Sequence, residues 1–226
     1  MRVALIHGLS PYRPLWALQK SLCAQRERGE CEDTLLLLEH EPTITLGRSA
    51  REENVKEDRT FLRNEGFEIV KVDRGGDVTY HGPGQLTGYF IFDLKELRTN
   101  LHQFIATLEE VMIRTAACYG IRGGRVEGLT GVWVGDRKIG AIGVHIRRWI
   151  STHGIAFNVK TDLEAFSHIV PCGLSDRGVT SVADAFESPP ELDEVAGRMI
   201  PIVGDLFRRE PHTIEFASSI EACLDL

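Results

Sequence analysis

The stretch from Arg74 to Leu94, RGGDVTYHGPGQLTGYFIFDL, constrains this chain more than any other. Five glycines fall between Arg74 and Gly88, with Arg74, Thr79, Tyr80, His81 and Gln85 among them. Glycine admits positive φ and lets a backbone come close to a ligand. The stretch reads as a long Gly-rich loop that runs into an apolar strand, Tyr89–Phe92. A generous hairpin turn would also use glycine. The density of hydrogen-bonding side chains favours a binding loop instead.

The rest of the chain mixes hairpins and helices. Val3–Ile6, Thr34–Leu38, Thr43–Leu46 and Phe67–Val72 read as strands, and Asn54–Asn64 as a short helix ended by Gly66. Leu15, Leu18 and Leu22 recur at helical spacing from about Pro14 into the charged stretch 26–30. The clearest helix carries Leu101, Phe104, Ile105, Leu108, Val111, Met112 and Thr115 on one face, with Gly120 beyond its end. GVWVGDRKIGAIGVHI predicts a hairpin turning near Gly135-Asp136, and HGIAFNV a further strand. Leu192, Val195, Met199, Val203 and Leu206 mark a last helix, and the tail after Arg209 is weakly patterned. Without a regular βαβ alternation, the expected fold class is α+β: a single domain over 1–226, with a mixed β-sheet flanked by helices.

Composition sets limits on function. Hydrophobic residues make up 42% of the 226, enough for a sizeable core. The net charge of -7 argues against nucleic acid as the main partner, since phosphate binding needs clustered cations. The five cysteines include no C-x-x-C pair, so a zinc framework or disulfide scaffold is not expected. The start lacks a signal-peptide pattern, and no apolar run approaches the roughly 18 residues of a spanning helix. The expectation is a soluble cytoplasmic protein, with no membrane partner.

Familiar phosphate motifs are absent. Gly82, Gly84 and Gly88 do not form G-x-G-x-x-G, and Ala141 and Ile142 stand where a P-loop spaced from Gly135 would need Lys and Ser/Thr. There is no H-E-x-x-H, and the histidines lie in separate β segments without ligand spacing, so no metal and no cofactor is expected. Cys172 is the candidate nucleophile. It lies between Pro171 and Gly173 in a turn-rich loop, whereas the other cysteines fall in helical patterns or the tail. A free thiol titrates near 8.5 and needs a partner to become a thiolate. His81, His145, His153 and Lys138 are the possible partners. Lys138 precedes the Gly-interrupted strand IGAIG; from there its ammonium can reach a pocket and favour a thiolate, or its uncharged amine can act as a base. On spacing alone the default is a solvated hairpin lysine next to Arg137.

RGGDVTYHGPGQLTGY resembles the signature of the lipoyl(octanoyl) transferases. LLLLEHEPTITLGR, KIGAIGVHI, HGIAFNV and the PCG around Cys172 are similar to that family's other landmarks, in the same order, across roughly 12–182. The resemblance implies a fold like the catalytic domains of lipoate and biotin ligases. It implies an octanoyl-acyl carrier protein as donor. As acceptors it implies lipoyl domains of 2-oxoacid dehydrogenase E2 subunits and the glycine cleavage H protein. The family's nucleophile falls on Cys172 and the lysine that activates it on Lys138. Its acyl-binding positions fall on Arg74, Gly75, Gly76, Asp77, Val78, Thr79, Tyr80 and His81, on Ala141, Ile142 and Gly143, and on Gly154, Ile155 and Ala156. Ala141 stands where many relatives carry Ser. The rivals are an ATP-dependent lipoate-protein ligase on the same fold, a Cys–His hydrolase and a peptide-binding module. An acidic carrier would meet an acidic chain, so a local cationic patch is expected, with Arg147 and Arg148 first and Arg122 and Arg125 second.

Overall fold

The structure, a computed structural model, describes residues 1–170 and 177–219. In chain order the elements begin β1 (Arg2–Ser10), α1 (Tyr12–Glu27), β2 (Thr34–His40), β3 (Thr43–Leu46), α2 (Arg59–Asn64), β4 (Glu68–Lys71) and β5 (Val78–His81). They continue β6 (Gln85–Ile91), α3 (Leu101–Ala117), β7 (Gly124–Val126), β8 (Leu129–Val134), β9 (Arg137–Arg147) and β10 (Ile150–Asn158). The described chain ends with α4 (Leu192–Phe207) and β11 (His212–Phe216). Eight strands form a mixed sheet in the order β11-β1-β2-β6-β10-β9-β8-β7, and three more form a small sheet, β4-β3-β5. This is the expected α+β class.

The run of four leucines in β2 shows why the large sheet is covered on both faces. Leu35 and Leu37 join Val3, Leu5 and Phe90 in the core that holds α3 and α4. Leu36 and Leu38 join Ala4, Ile6 and Tyr89 in the core beneath α1, where Leu15, Leu18 and Leu22 pack. A strand buried on both faces reads as a continuous apolar run rather than an alternation. The α3 helix begins with a capping box: the Asn100 side chain accepts from Gln103 N, and the Gln103 side chain accepts from Asn100 N.

The small sheet leans on its own core of Ile44, Leu46, Leu62, Val78, Tyr80, Phe166 and Ile169. It corrects the reading of the Gly-rich stretch. Val78–His81 is not loop but β5, paired antiparallel with β3 from Thr43↔His81 to Leu46↔Val78. Only Gly82, Pro83 and Gly84 turn before β6 starts at Gln85. The expected helix over 54–64 is a 3-10 turn, Glu52–Asn54, followed by the shorter α2, capped where Asp58 accepts from Thr60 N at 2.7 Å. The β8–β9 hairpin turns at Gly135 and Asp136 as predicted. The tail holds β11, which pairs parallel with β1 as an edge strand.

Candidate active site

Arg74 fixes the start of the signature segment. Its side chain is buried, with Nη2 donating to Thr45 O and Thr45 Oγ1 at 2.8 Å each and Nη1 donating to Gly75 O at 3.1 Å. The backbone after β3 grips the same segment: Gly47 N donates to Asp77 O (3.1 Å), Arg48 N to Arg74 O (2.9 Å) and Ser49 N to Gly76 O (3.1 Å). On the other side Gly75 N donates to Val144 O in β9 at 2.9 Å. The 74–77 loop is thereby clamped between the small sheet and the large one.

Beneath it, β9 and β10 bring two distant segments side by side. Their register pairs Ala141 with Ala156, Ile142 with Ile155 and Gly143 with Gly154. Two glycines are required by close approach. A Cβ on Gly143 would come within 2.8 Å of Arg74 Cδ and 3.1 Å of Gly75 O. One on Gly154 would overlap the Gly88 carbonyl oxygen and lie 2.7 Å from Phe90 Cδ2. These six residues line one inner pocket with Arg74, Gly76–Thr79 and His81.

The polar end of that pocket is built from Tyr12, Tyr89, His81 and His153. His81 Nδ1 meets Gln85 Oε1 at 2.9 Å, and the neighbouring His40 is bonded to Ser10 O (2.9 Å) and Tyr89 Oη (2.6 Å). Burial pushes His40 down to about 4 and His81 well below the ordinary imidazole value, the latter helped by the nearby charges of His40 and Arg74. Burial also raises Tyr12 to about 12 and Tyr89 well above the usual phenol value. Desolvation lowers His153 too, against the pull of Asp73, whose Oδ1 lies 2.8 Å from His153 Nε2. The cluster is therefore neutral at pH 7. A neutral His153 that donates through Nε2 leaves Nδ1, buried and without a partner among the described residues, as an acceptor.

Lys138 is the second residue of β9 and is buried at 7% exposure. Its ammonium stands over Trp133, 4.7 Å from the ring centroid. It lines a second, larger cavity of about 1110 Å³ together with Gly75, Gly76, Asp77, Ile142 and Gly143, so one space touches both Lys138 and the signature loop. Cys172 lies outside the described residues. The chain on either side of it is placed. Val170, whose N donates to Asn54 O at 2.8 Å, lines the cavity that Lys138 lines. Past the undescribed stretch, Gly178 O accepts from Lys138 N and Lys138 O accepts from Thr180 N, each at 2.9 Å.

The structure thus brings together Arg74, Gly76–Thr79, His81, Ala141–Gly143 and Gly154–Ala156, with Gly75 on the larger cavity. Tyr80 is placed elsewhere: its ring turns to the far face of β5 and packs on Phe67 and Phe166, at centroid distances of 5.8 and 5.4 Å. Tyr12, Thr45 and Tyr89 are not among the expected site residues, although Thr45 lies in LLLLEHEPTITLGR and Tyr89 ends RGGDVTYHGPGQLTGY. Tyr12 opens α1, Thr45 sits in a four-residue strand, and within those segments no local pattern marks them as pocket residues. Of the other cysteines, Cys23 and Cys31 have thiols pushed up by burial. Among the described residues no group of three His, Cys, Asp or Glu could hold a metal, and no helix is long and apolar enough to cross a membrane.

The match to the lipoyl protein ligase A/B catalytic domain extends over residues 11–202. An octanoyltransferase of Chloroflexus aurantiacus is 48% identical over 216 residues, covering 93% of this chain and 97% of that one. The chain belongs to the octanoyltransferases of this catalytic-domain family. Solved structures agree on the fold. A bipartite lipoate protein ligase from Thermoplasma acidophilum superimposes with TM-score 0.75 at 19% identity, over 98% of this chain and 89% of that one. A biotin protein ligase from Aquifex aeolicus, in complex with biotin and ATP, does so with TM-score 0.57 at 14% identity, over 92% and 71%. The positions that the resemblance implied for acyl binding lie on the clamped loop and β5 (74–81) and on the β9 and β10 stretches paired beneath them.

Proposed function

We propose that this protein transfers an octanoyl group from an acyl carrier protein to one lysine of a lipoyl domain, through a thioester on Cys172. The observation that carries the reading is the single cavity on which the signature loop, Lys138 and Val170 all open. Cys172 follows Val170, a residue of that wall, by two positions in the sequence.

The chemistry balances without ATP. The Cys172 thiolate attacks the thioester carbonyl of the donor, a new C–S bond forms, the donor's C–S bond breaks, and the carrier's thiolate leaves with a proton taken from the Lys138 ammonium. The ε-amine of the acceptor lysine then attacks the Cys172 thioester. The C–S bond breaks, an amide forms, and Cys172 departs as a thiolate. Lys138, left uncharged by the first step, receives the proton from the attacking amine and again pairs with that thiolate. Thioester to thioester is close to balanced and thioester to amide is downhill. The donor is an octanoyl-acyl carrier protein; the acceptors are lipoyl domains of 2-oxoacid dehydrogenases and of the glycine cleavage system. The test is acceptor modification under two regimes. With octanoyl carrier protein and no nucleotide, the lipoyl domain gains one octanoyl group. Modification that needs free octanoate and ATP instead would make the protein a ligase.

A further inference from the structure

The cavity on which Lys138 opens is long, and beside the acyl-binding loop its wall carries Arg48, Ser49 and Asn54, which an alkyl chain alone does not explain. Gly75 is bonded to Val144, six residues along β9 from Lys138, and a strand advances about 3.4 Å per residue. The groove therefore runs for roughly 20 Å from Lys138 to the level where the 74–77 loop docks. At that far end stands Arg48, exposed, on the backbone turn that Arg74, Gly76 and Asp77 hold through three hydrogen bonds.

The charges around Arg48 are already matched among themselves. Arg51 pairs with Glu53 at 3.5 Å. The Asp77 carboxylate accepts from Asn54 Nδ2, from Arg51 N at 3.2 Å and from Val78 N at 2.8 Å. Among the described residues Arg48 has no carboxylate within 4.0 Å. Of the arginines expected from sequence to attract an acidic carrier, Arg148 is paired with Glu27 and Arg125 with both Glu109 and Glu110 at 2.9 Å, while Arg147 and Arg122 are exposed but line neither cavity. An uncompensated guanidinium on a fixed turn, at one end of a groove whose other end holds the reacting lysine, fits an elongated ligand. Such a ligand carries a thioester at one end and a monoanionic phosphodiester at the other.

We propose that Arg48 forms the phosphate subsite for the phosphopantetheine arm of the donor, so that the arm lies along the groove with its thioester at the Lys138 end. The assignment rests on the transferase reading above. Arginine suits the role because its planar fork can meet two phosphate oxygens at once.

The experiment compares two small donors that differ only in the phosphate, S-octanoyl-4′-phosphopantetheine and S-octanoyl-pantetheine. The rate of octanoyl-enzyme formation is read by intact mass. Wild type is expected to use the phosphorylated donor about tenfold better in kcat/KM, as one charge-assisted contact supplies. Arg48→Ala should erase that preference and leave the pantetheine donor unchanged. Arg48→Lys should restore part of it, and Arg198→Ala on α4 should alter neither donor. Equal rates for both donors with wild type, or an Arg48→Ala loss of equal size on both, would overturn the subsite while leaving the transferase intact. Protection of the site by ATP, without any donor-phosphate preference, would assign it to a nucleotide and equally overturn it. Failure of wild type to acquire octanoyl from either donor or from the carrier protein would strike the transferase reading itself.

Discussion

Gly154→Ala gives the sharpest test of how the site is packed. The added methyl would overlap the Gly88 carbonyl oxygen of the adjacent strand and lie 2.7 Å from Phe90 Cδ2. Both neighbours are fixed. Gly88 sits in β6, paired to β10 from Gly154↔Tyr89 to Asn158↔Gln85, and Phe90 is fully buried. Relief requires β6 and β10 to part by a sizeable fraction of an ångström against a spacing of about 4.8 Å, straining that ladder. The cost belongs at the top of the overpacking range, about 3 kcal/mol, a large share of the roughly 5–15 kcal/mol that holds an ordinary domain folded. Gly143→Ala meets the side-chain carbon Arg74 Cδ at 2.8 Å and Gly75 O at 3.1 Å, and relief comes from moving one side chain against its bonds to Thr45 rather than from parting two strands. It should cost about 1 kcal/mol and act chiefly on octanoyl transfer, by displacing Arg74. Gly197 is exposed in α4, and a methyl added there would meet nothing within 4 Å, so Gly197→Ala should stabilise by about 0.5–1 kcal/mol through helix propensity. Urea unfolding at constant m ranks the three. A Gly154→Ala loss below about 1 kcal/mol, or one smaller than that of Gly143→Ala, would refute the close approach of β6 and β10 as the reason for glycine.

Two further outcomes follow from the electrostatics. His40 is held near 4 in the folded protein, while an unfolded histidine titrates near 6.5. Below 6.5 the unfolded chain takes up a proton that the folded chain refuses. Stability is therefore complete above about pH 6.5 and declines as pH falls towards 4, by about 3 kcal/mol at the lower end from His40 alone, with His81 adding in the same direction. Urea unfolding at pH 7, 5.5 and 4.5 checks this; His40→Gln should flatten the slope, and an identical slope would remove His40 as its source. Lys138→Ala should slow alkylation of Cys172 at pH 7 by about tenfold, the effect of one unit in thiol pKa. Unchanged alkylation would mean that Lys138 does not support the thiolate.

Much of the fold was legible because its burial is regular. The leucines of β2, the Leu15–Leu18–Leu22 stripe of α1 and the long apolar face of α3 each state which surface is covered. β11 escaped because four of its five residues, His212–Glu215, are exposed on an edge strand, so no face is written into the sequence. β5 escaped because glycines bracket it, although Val78 and Tyr80 face one core while Thr79 and His81 line the pocket side. That alternation also explains why a signature read as one unit splits in space, with Tyr80 serving the small-sheet core. Lys138 was distinguishable only by the motif around it. Its burial comes from Trp133 and from the return of the chain at Gly178, a pairing across 40 residues that no local pattern encodes.

A covalent octanoyl-enzyme on Cys172 is the intermediate on which the proposed reaction turns. Intact-protein mass spectrometry after mixing with octanoyl carrier protein tests for it directly, with wild type beside Cys172→Ala. A single octanoyl adduct is expected on wild type and none on the variant, with loss of the adduct when a lipoyl domain is added and the octanoyl group reappearing on that domain. An adduct on both proteins, or octanoylated acceptor formed as fast by Cys172→Ala as by wild type, would contradict it.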